Sequence, residues 1–406
     1  MSIFEGALAT PETLGLFSDR GLVEAMLRCE AALARAQAQA GRIPESAAHS
    51  IVGSCKVELF DVSKIVRDSA RAGSIAEPLL RSLREAVGLF NPQAVPFVHA
   101  GACERDLADA AMALQTRAAL RLINADLERA ARALLAHAER HANLPMLRRD
   151  GVRPVAVTSF GLRCAEWAAP LVRSRERLHR AAALGWRMHP GACEAAALLE
   201  AAAGVIGARR EEAWEGGDDA PAVLACELGL MVGSLGRIAF EIALLGRPGI
   251  AEIDEGGEGA AGADDDAGAS APEGAPAATA TAIALAAAQR VPPRVALLLA
   301  ALPQARGASF GAWLAEQAEW PPLLMAAHGS VRAMASLLPE LRPDARRMRS
   351  HIDRQLAGLP RGAAREAFDP TVAEAAAVAA LSQALALALA LALALRGRLD
   401  AGPADR

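Results

Sequence analysis

The feature that most constrains this chain is a series of long runs dense in strong helix formers. Residues 18–40 contain no proline and consist mainly of Ala, Leu, Glu, Gln and Arg. Ser18 or Asp19 can cap this run, and Gly41 followed by Pro44 can stop it. A second run starts near Glu104 and continues to about His141. In it Leu107, Ala110, Ala111, Leu114 and Ala118 recur at helical spacing and form one apolar stripe. Residues 154–183, 222–245, 279–302 and 321–338 read as further helices. Strands alternating with helices are not seen. Ala-rich faces let long helices approach closely, so the expected fold class is all-α, a bundle of long helices.

Composition removes several function classes. The net charge of −4 gives no global electrostatic case for nucleic-acid binding. Aromatics are 3% and tyrosine is absent, which argues against a large all-β sandwich. The first 19 residues carry Glu5 and Glu12 and no basic segment before an apolar run, so they do not read as a secretory signal. The six cysteines, at 29, 55, 103, 164, 193 and 226, are scattered without a Cys-x-x-Cys pair. Neither a zinc site nor a disulfide framework is indicated, and a cytoplasmic setting is expected. The only lysines are Lys56 and Lys64, so chemistry that needs a lysine elsewhere is excluded.

Two segments depart from the helical pattern. Residues 246–278 interleave Glu252, Asp254, Glu255, Glu258 and Asp264 to Asp266 with Gly and Ala, and read as an acidic loop. A lid over a site or a cation site is the alternative, although the carboxylate spacing is not that of a calcium loop. Residues 375–395 are apolar apart from Ser382 and Gln383 and end in an Ala-Leu repeat. That length would span a bilayer. Its alanine content favours a buried bundle or oligomer helix over a membrane anchor.

Few residues suggest chemistry by spacing alone. His137 and His141 sit at i, i+4, without the flanking residues of a zinc-protease motif or a third ligand, and read as two partly exposed helix histidines. A lysine-bearing phosphate loop and a Gly-x-Ser-x-Gly elbow are both missing. His99-Ala100-Gly101, by contrast, places a histidine and a turn just ahead of the long helix. Polar groups at a helix N-terminus suit anionic substrate groups. Residues 149–158 are a comparable irregular stretch opening a helix.

Four stretches together resemble the fumarase/aspartase superfamily, and within it the 3-carboxy-cis,cis-muconate cycloisomerase branch. Phe17-Ser18-Asp19-Arg20, with Met26-Leu27 and Glu30-Ala31-Ala32-Leu33-Ala34, is similar to that branch's first helix. His99-Ala100-Gly101 with Asp106 and Asp109 resembles its His-x-Gly turn and the helix that follows. Pro145 to Arg149 through Phe160-Gly161-Leu162 resembles its second conserved stretch. Gln289 to Pro292, Leu302 to Gln304 and Gly311 to Glu316 resemble the region after its signature loop.

The resemblance implies a three-region helical subunit, divided here at 1–103, 104–338 and 339–406, in a homotetramer whose sites draw on three subunits. It implies reversible addition or elimination across a carbon–carbon double bond beside a carboxylate, on a small unsaturated di- or tricarboxylate, with no cofactor or metal. In this branch a substrate carboxylate adds internally to a diene and gives a lactone in aromatic-acid degradation. Carried over residue by residue, His99 and Arg149 become donors to substrate carboxylates, Asp106 orients the turn, and Cys103 stands in for a hydroxyl donor. Ser270 becomes the acid/base only after a one-residue shift. Ungapped, the signature loop falls on 268–278, with Ala269 at the serine, Ala275 at the lysine and Ala277 at the asparagine. Glu104 replaces a serine after the His-x-Gly turn. A non-catalytic scaffold or partner subunit with the same fold, and a lyase for another unsaturated dicarboxylate, are the alternative readings.

Overall fold

The structure, a computed structural model, describes residues 3–151, 153–183, 219–254, 276–302 and 310–358. Among them the regular elements are helices, apart from two two-stranded sheets. The amino-terminal helices are α1 (Ile3–Gly6), α2 (Pro11–Leu16), α3 (Asp19–Gln39), α4 (Glu45–Ser54), α5 (Val62–Ala72) and α6 (Glu77–Phe90). The long helix α7 (Glu104–Arg140) follows, then strands β1 (Pro145–Asp150) and β2 (Arg153–Ser159), then α8 (Phe160–Ala183) and α9 (Ala220–Leu245). The remainder is β3 (Ile253–Asp254), α10 (Pro276–Ala301), α11 (Phe310–Leu337), β4 (Arg342–Pro343) and α12 (Ala345–Ala357). The expected helical class is what forms. Ser270, the rest of the signature-loop positions up to 275, and the apolar run 375–395 lie outside the described residues.

Local chemistry sets the helix ends. Ser18 caps α3 as expected, its Oγ accepting from the Gly21 amide at 3.0 Å. Gly21 is needed there, because a Cβ would fall 2.3 Å from the Gly15 carbonyl. Asp61 and Asp344 cap α5 and α12 in the same way. Two expectations need correction. Residues 153–159 are a strand, not the start of a helix. β1 and β2 pair antiparallel through Gly151, whose φ of +59° suits a glycine. Helix α8 then starts at Phe160, where the Ser159 hydroxyl accepts from the Leu162 amide at 3.0 Å. Helix α11 starts at Phe310 and continues through Pro321 and Pro322, so that pair does not mark its beginning.

By packing, the chain divides into two units. Unit 1 comprises 1–122, 178–227 and 293–328; unit 2 comprises 123–177, 228–292 and 329–406. In unit 1 the core joins α3 to α6 with the start of α7, through Leu27, Leu33, Ile51, Leu79, Leu83 and Leu107. Trp320 of α11 is fully buried and its Nε1 donates to Thr116 Oγ1 on α7 at 2.6 Å. In unit 2, Ile123, Leu127 and Leu134 of α7, Trp167 of α8 and Leu235, Ile238 and Ile242 of α9 are buried. Small residues bring helices close there: a Cβ on Gly236 of α9 would stand 2.5 Å from that of Ala288 on α10.

Candidate active site

In unit 1 the expected site residues cluster at the start of α7. His99 lies between the 3-10 turn at Pro92–Phe97 and α7, with a left-handed φ of +58° that few non-glycine residues adopt. Its side chain is buried, and Nδ1 lies 2.8 Å from Glu30 Oε2. The same carboxylate accepts from the His99 backbone amide through Oε1, also at 2.8 Å. The Gln37 side chain, on the same helix as Glu30, donates to the Ala100 carbonyl at 2.6 Å. Gly101 continues the turn at φ +68°. Cys103 is exposed, and Asp106 is buried in the first turn of α7. Glu104 accepts from the Ser74 hydroxyl at 2.6 Å, so the acid in place of the serine is tethered to a neighbouring turn.

One turn further along α7, Asp109 joins two of the stretches that carry the resemblance. Its Oδ1 accepts from Trp313 Nε1 at 2.8 Å and from Gln317 Nε2 at 3.1 Å. The Arg105 guanidinium lies over the Trp313 ring, 5.3 Å from its centroid. Burial pushes the Asp109 carboxyl up to about 7, although the Trp313 hydrogen bond and the Arg105 charge pull it down.

In unit 2, Arg149 sits on β1. Its two terminal nitrogens meet Glu252 Oε2 and Oε1 at 2.6 and 2.5 Å, a bidentate pair with a carboxylate of zero exposure. His351 Nδ1 lies 2.6 Å from Glu252 Oε1. A carboxylate only accepts, so His351 Nδ1 carries the proton, and the 3.5 Å approach of Arg149 to that nitrogen is not a hydrogen bond. The carboxylate that Arg149 meets is therefore Glu252. Beside this cluster is a cavity of about 480 Å³ lined by Leu147, Leu244, Ile250, Arg247 and Arg354 as well as Arg149 and His351.

At the end of α7 one of the two histidines corrects an expectation. His137 is buried, not partly exposed, and its Nε2 donates to the Leu338 carbonyl at 3.0 Å. It stacks on His141 with ring centroids 5.7 Å apart. Burial lowers the pKa of both, which keeps them neutral. Among the described residues no group of three potential ligands gathers around a metal position.

Reading the sequence missed Glu30, Glu252 and His351. Glu30 carried a usable signal: it lies among Met26, Leu27 and Leu33 on a helix face that the structure buries. A charged residue on such a face needs a partner. Glu252 stands in an acidic stretch and had no such contrast.

Comparison with known proteins follows this geometry. A family described as lyase matches residues 6–211. The 3-carboxy-cis,cis-muconate cycloisomerase of Pseudomonas putida is 33% identical over 362 residues, 86% of this chain and 84% of that one. The nitrosuccinate lyase of Streptomyces davaonensis is 32% identical over 369 residues, 83% of this chain and 73% of that one. Among solved structures, the 3-carboxy-cis,cis-muconate lactonizing enzyme of Pseudomonas putida superposes with a TM-score of 0.83 at 26% identity. That match covers 96% of this chain and 99% of the other. A fumarate lyase from Mesorhizobium gives 0.73 at 25% identity, covering 93% and 89%.

Proposed function

The chain belongs to this lyase family, as a 3-carboxy-cis,cis-muconate cycloisomerase-like member of the fumarate lyase superfamily, and from that premise we propose that it catalyses the cycloisomerase reaction. A carboxylate oxygen of the substrate forms a C–O bond to one diene carbon. The displaced π electrons move towards the neighbouring carboxylate as an aci-carboxylate, and the α-carbon takes a proton from an acid group. Nothing leaves, so the product is the lactone isomer. The observation that carries this reading is the match of 33% identity over 84% of the Pseudomonas putida cycloisomerase.

The residues asked to serve it are those at and before the start of α7, with His99 fixed in the turn, Asp106 buried in the first turn of the helix and Cys103 at the surface. Arg149 is the unit 2 candidate and Ser270 the proton carrier. Such a reaction needs preorganised donors where charge develops, each worth about 100- to 1,000-fold in rate. The proposed assembly is a homotetramer in a cytoplasmic setting. Exposed Leu297, Leu299 and Leu302, on and just after α10, offer apolar surface for it, and α10 is long and apolar but little buried in one chain.

The nitrosuccinate lyase relative favours a second reading, elimination from another substituted dicarboxylate. The alanines at 275 and 277 favour a third, a subunit that keeps the fold without the reaction. One experiment separates them. Purified protein is mixed with 3-carboxy-cis,cis-muconate and the diene's ultraviolet absorbance is followed, alongside His99→Ala and Ser270→Ala. Turnover lost in both variants is the expected result. No turnover from folded, helical protein rejects the cycloisomerase reading, and other unsaturated diacids are then tried.

A further inference from the structure

We propose that Glu30 is a positioning residue that fixes the tautomer of the neutral His99 ring, with the proton on Nδ1. The free nitrogen of His99 is then a proton acceptor, not a donor to a substrate carboxylate. The inference rests on the proposed function in taking His99 as part of the reaction site.

Three observations converge. First, Glu30 is 1% exposed and spends one oxygen on the His99 amide and the other on Nδ1, both at 2.8 Å. An ionised carboxylate has no proton to give, so the Nδ1 hydrogen belongs to the ring. Second, Nε2 is buried and has no hydrogen-bond partner among the described residues. In the neutral ring Nε2 then carries no hydrogen and needs no acceptor, which fits a nitrogen that meets none. Third, His99 is held at φ +58°. A side chain in that region persists where its surroundings fix it. Glu30 and Gln37 are two turns apart on α3 and hold His99 and Ala100, so one helix face braces the turn at two points.

The consequence for chemistry is direct. An unprotonated Nε2 accepts a proton or a hydrogen bond from a neighbouring donor. It repels the carboxylate oxygens that the sequence reading assigned to His99. Correct protonation of an acid/base group is worth about 100- to 10,000-fold in rate. Glu30 touches no substrate and acts through the ring it holds.

The test uses the full chain labelled with nitrogen-15 histidine. The His99 signals are identified by their loss in His99→Asn. Nitrogen chemical shifts that place the proton on Nδ1 are expected for the wild type. In Glu30→Gln the amide can donate to Nδ1, and the proton is expected to move to Nε2. In turnover of 3-carboxy-cis,cis-muconate, Glu30→Gln lowers kcat about 100-fold with KM little changed, and Glu30→Asp restores part of it. A wild-type His99 protonated on Nε2, or Glu30→Gln with wild-type kcat, overturns the assignment. Absence of wild-type turnover rejects the reaction, and the tautomer pattern then decides the role of Glu30 by itself. A Glu30→Gln chain that does not fold leaves the wild-type spectrum as the deciding result.

Discussion

Glu30 and Glu252 are both sealed carboxylates, and each holds a histidine through Nδ1, at 2.8 and 2.6 Å. They differ in counter-charge. Glu252 is matched by the fixed cation of Arg149, which engages both oxygens. Glu30 meets a histidine ring and a backbone amide, and leaves the far ring nitrogen unpartnered among the described residues. In the Glu252 cluster a permanent cation supplies the counter-charge, and both carboxylate oxygens are engaged by it. The Glu30 cluster holds a titratable ring in place and leaves one nitrogen unspent, the arrangement an acid/base group requires.

The largest expected effect comes from breaking the Glu252 cluster. Arg149→Met leaves the Glu252 carboxylate buried with only His351 beside it, and costs about 3–5 kcal/mol of stability. Urea denaturation measures it. Arg149→Met combined with Glu252→Leu removes both charges and should recover most of the loss. If Arg149→Met keeps wild-type stability and only weakens substrate binding, the guanidinium serves substrate first and the contrast between the clusters fails.

Asp109 sharpens the comparison, because its cation stands further off: Trp313 and Gln317 hydrogen-bond it, and Arg105 approaches only to 3.9 Å. Desolvation therefore wins, and burial raises its carboxyl from 3.8 to about 7. The folded state holds this proton more tightly than the unfolded chain. Its contribution is full below about pH 4 and is lost as the pH rises towards 7. Across that window the stability of Asp109→Asn relative to wild type should rise by up to about 4 kcal/mol. Parallel stability curves for the two proteins would show that Asp109 ionises freely in place.

How far these sites could be read from sequence follows from the same contrast. The cap at Ser18, the stripe on α7 and the His-x-Gly turn rest on residues within one element, so their pattern was visible. The hairpin was not: residues 149–158 read as an irregular stretch opening a helix, and only the pairing of Pro145–Asp150 with Arg153–Ser159 makes them strands. The partners were least visible. Glu30 precedes His99 by 69 positions, and Glu252 follows Arg149 by 103. Helical spacing says which face a residue occupies but not what crosses to meet it. Asp109 and Trp313 lay in two stretches that were each singled out, yet only packing shows that one donates to the other.

The smallest expected effect tests whether the Glu30 cluster is held lightly, as an acid/base site demands. His99→Ala removes the Nδ1 donor and leaves Glu30 with the backbone amide, a loss of about 1–3 kcal/mol against the larger loss at Arg149. Asparagine tolerates left-handed backbone and carries a donor, so His99→Asn should cost less than His99→Ala. Neither variant supplies an imidazole, so both should lack turnover while differing in stability. Equal destabilisation by His99→Ala and Arg149→Met would mean that the Glu30 carboxylate depends on its histidine as completely as Glu252 depends on its arginine. The two clusters would then share one structural role, and the unspent nitrogen of His99 would owe its position to packing alone.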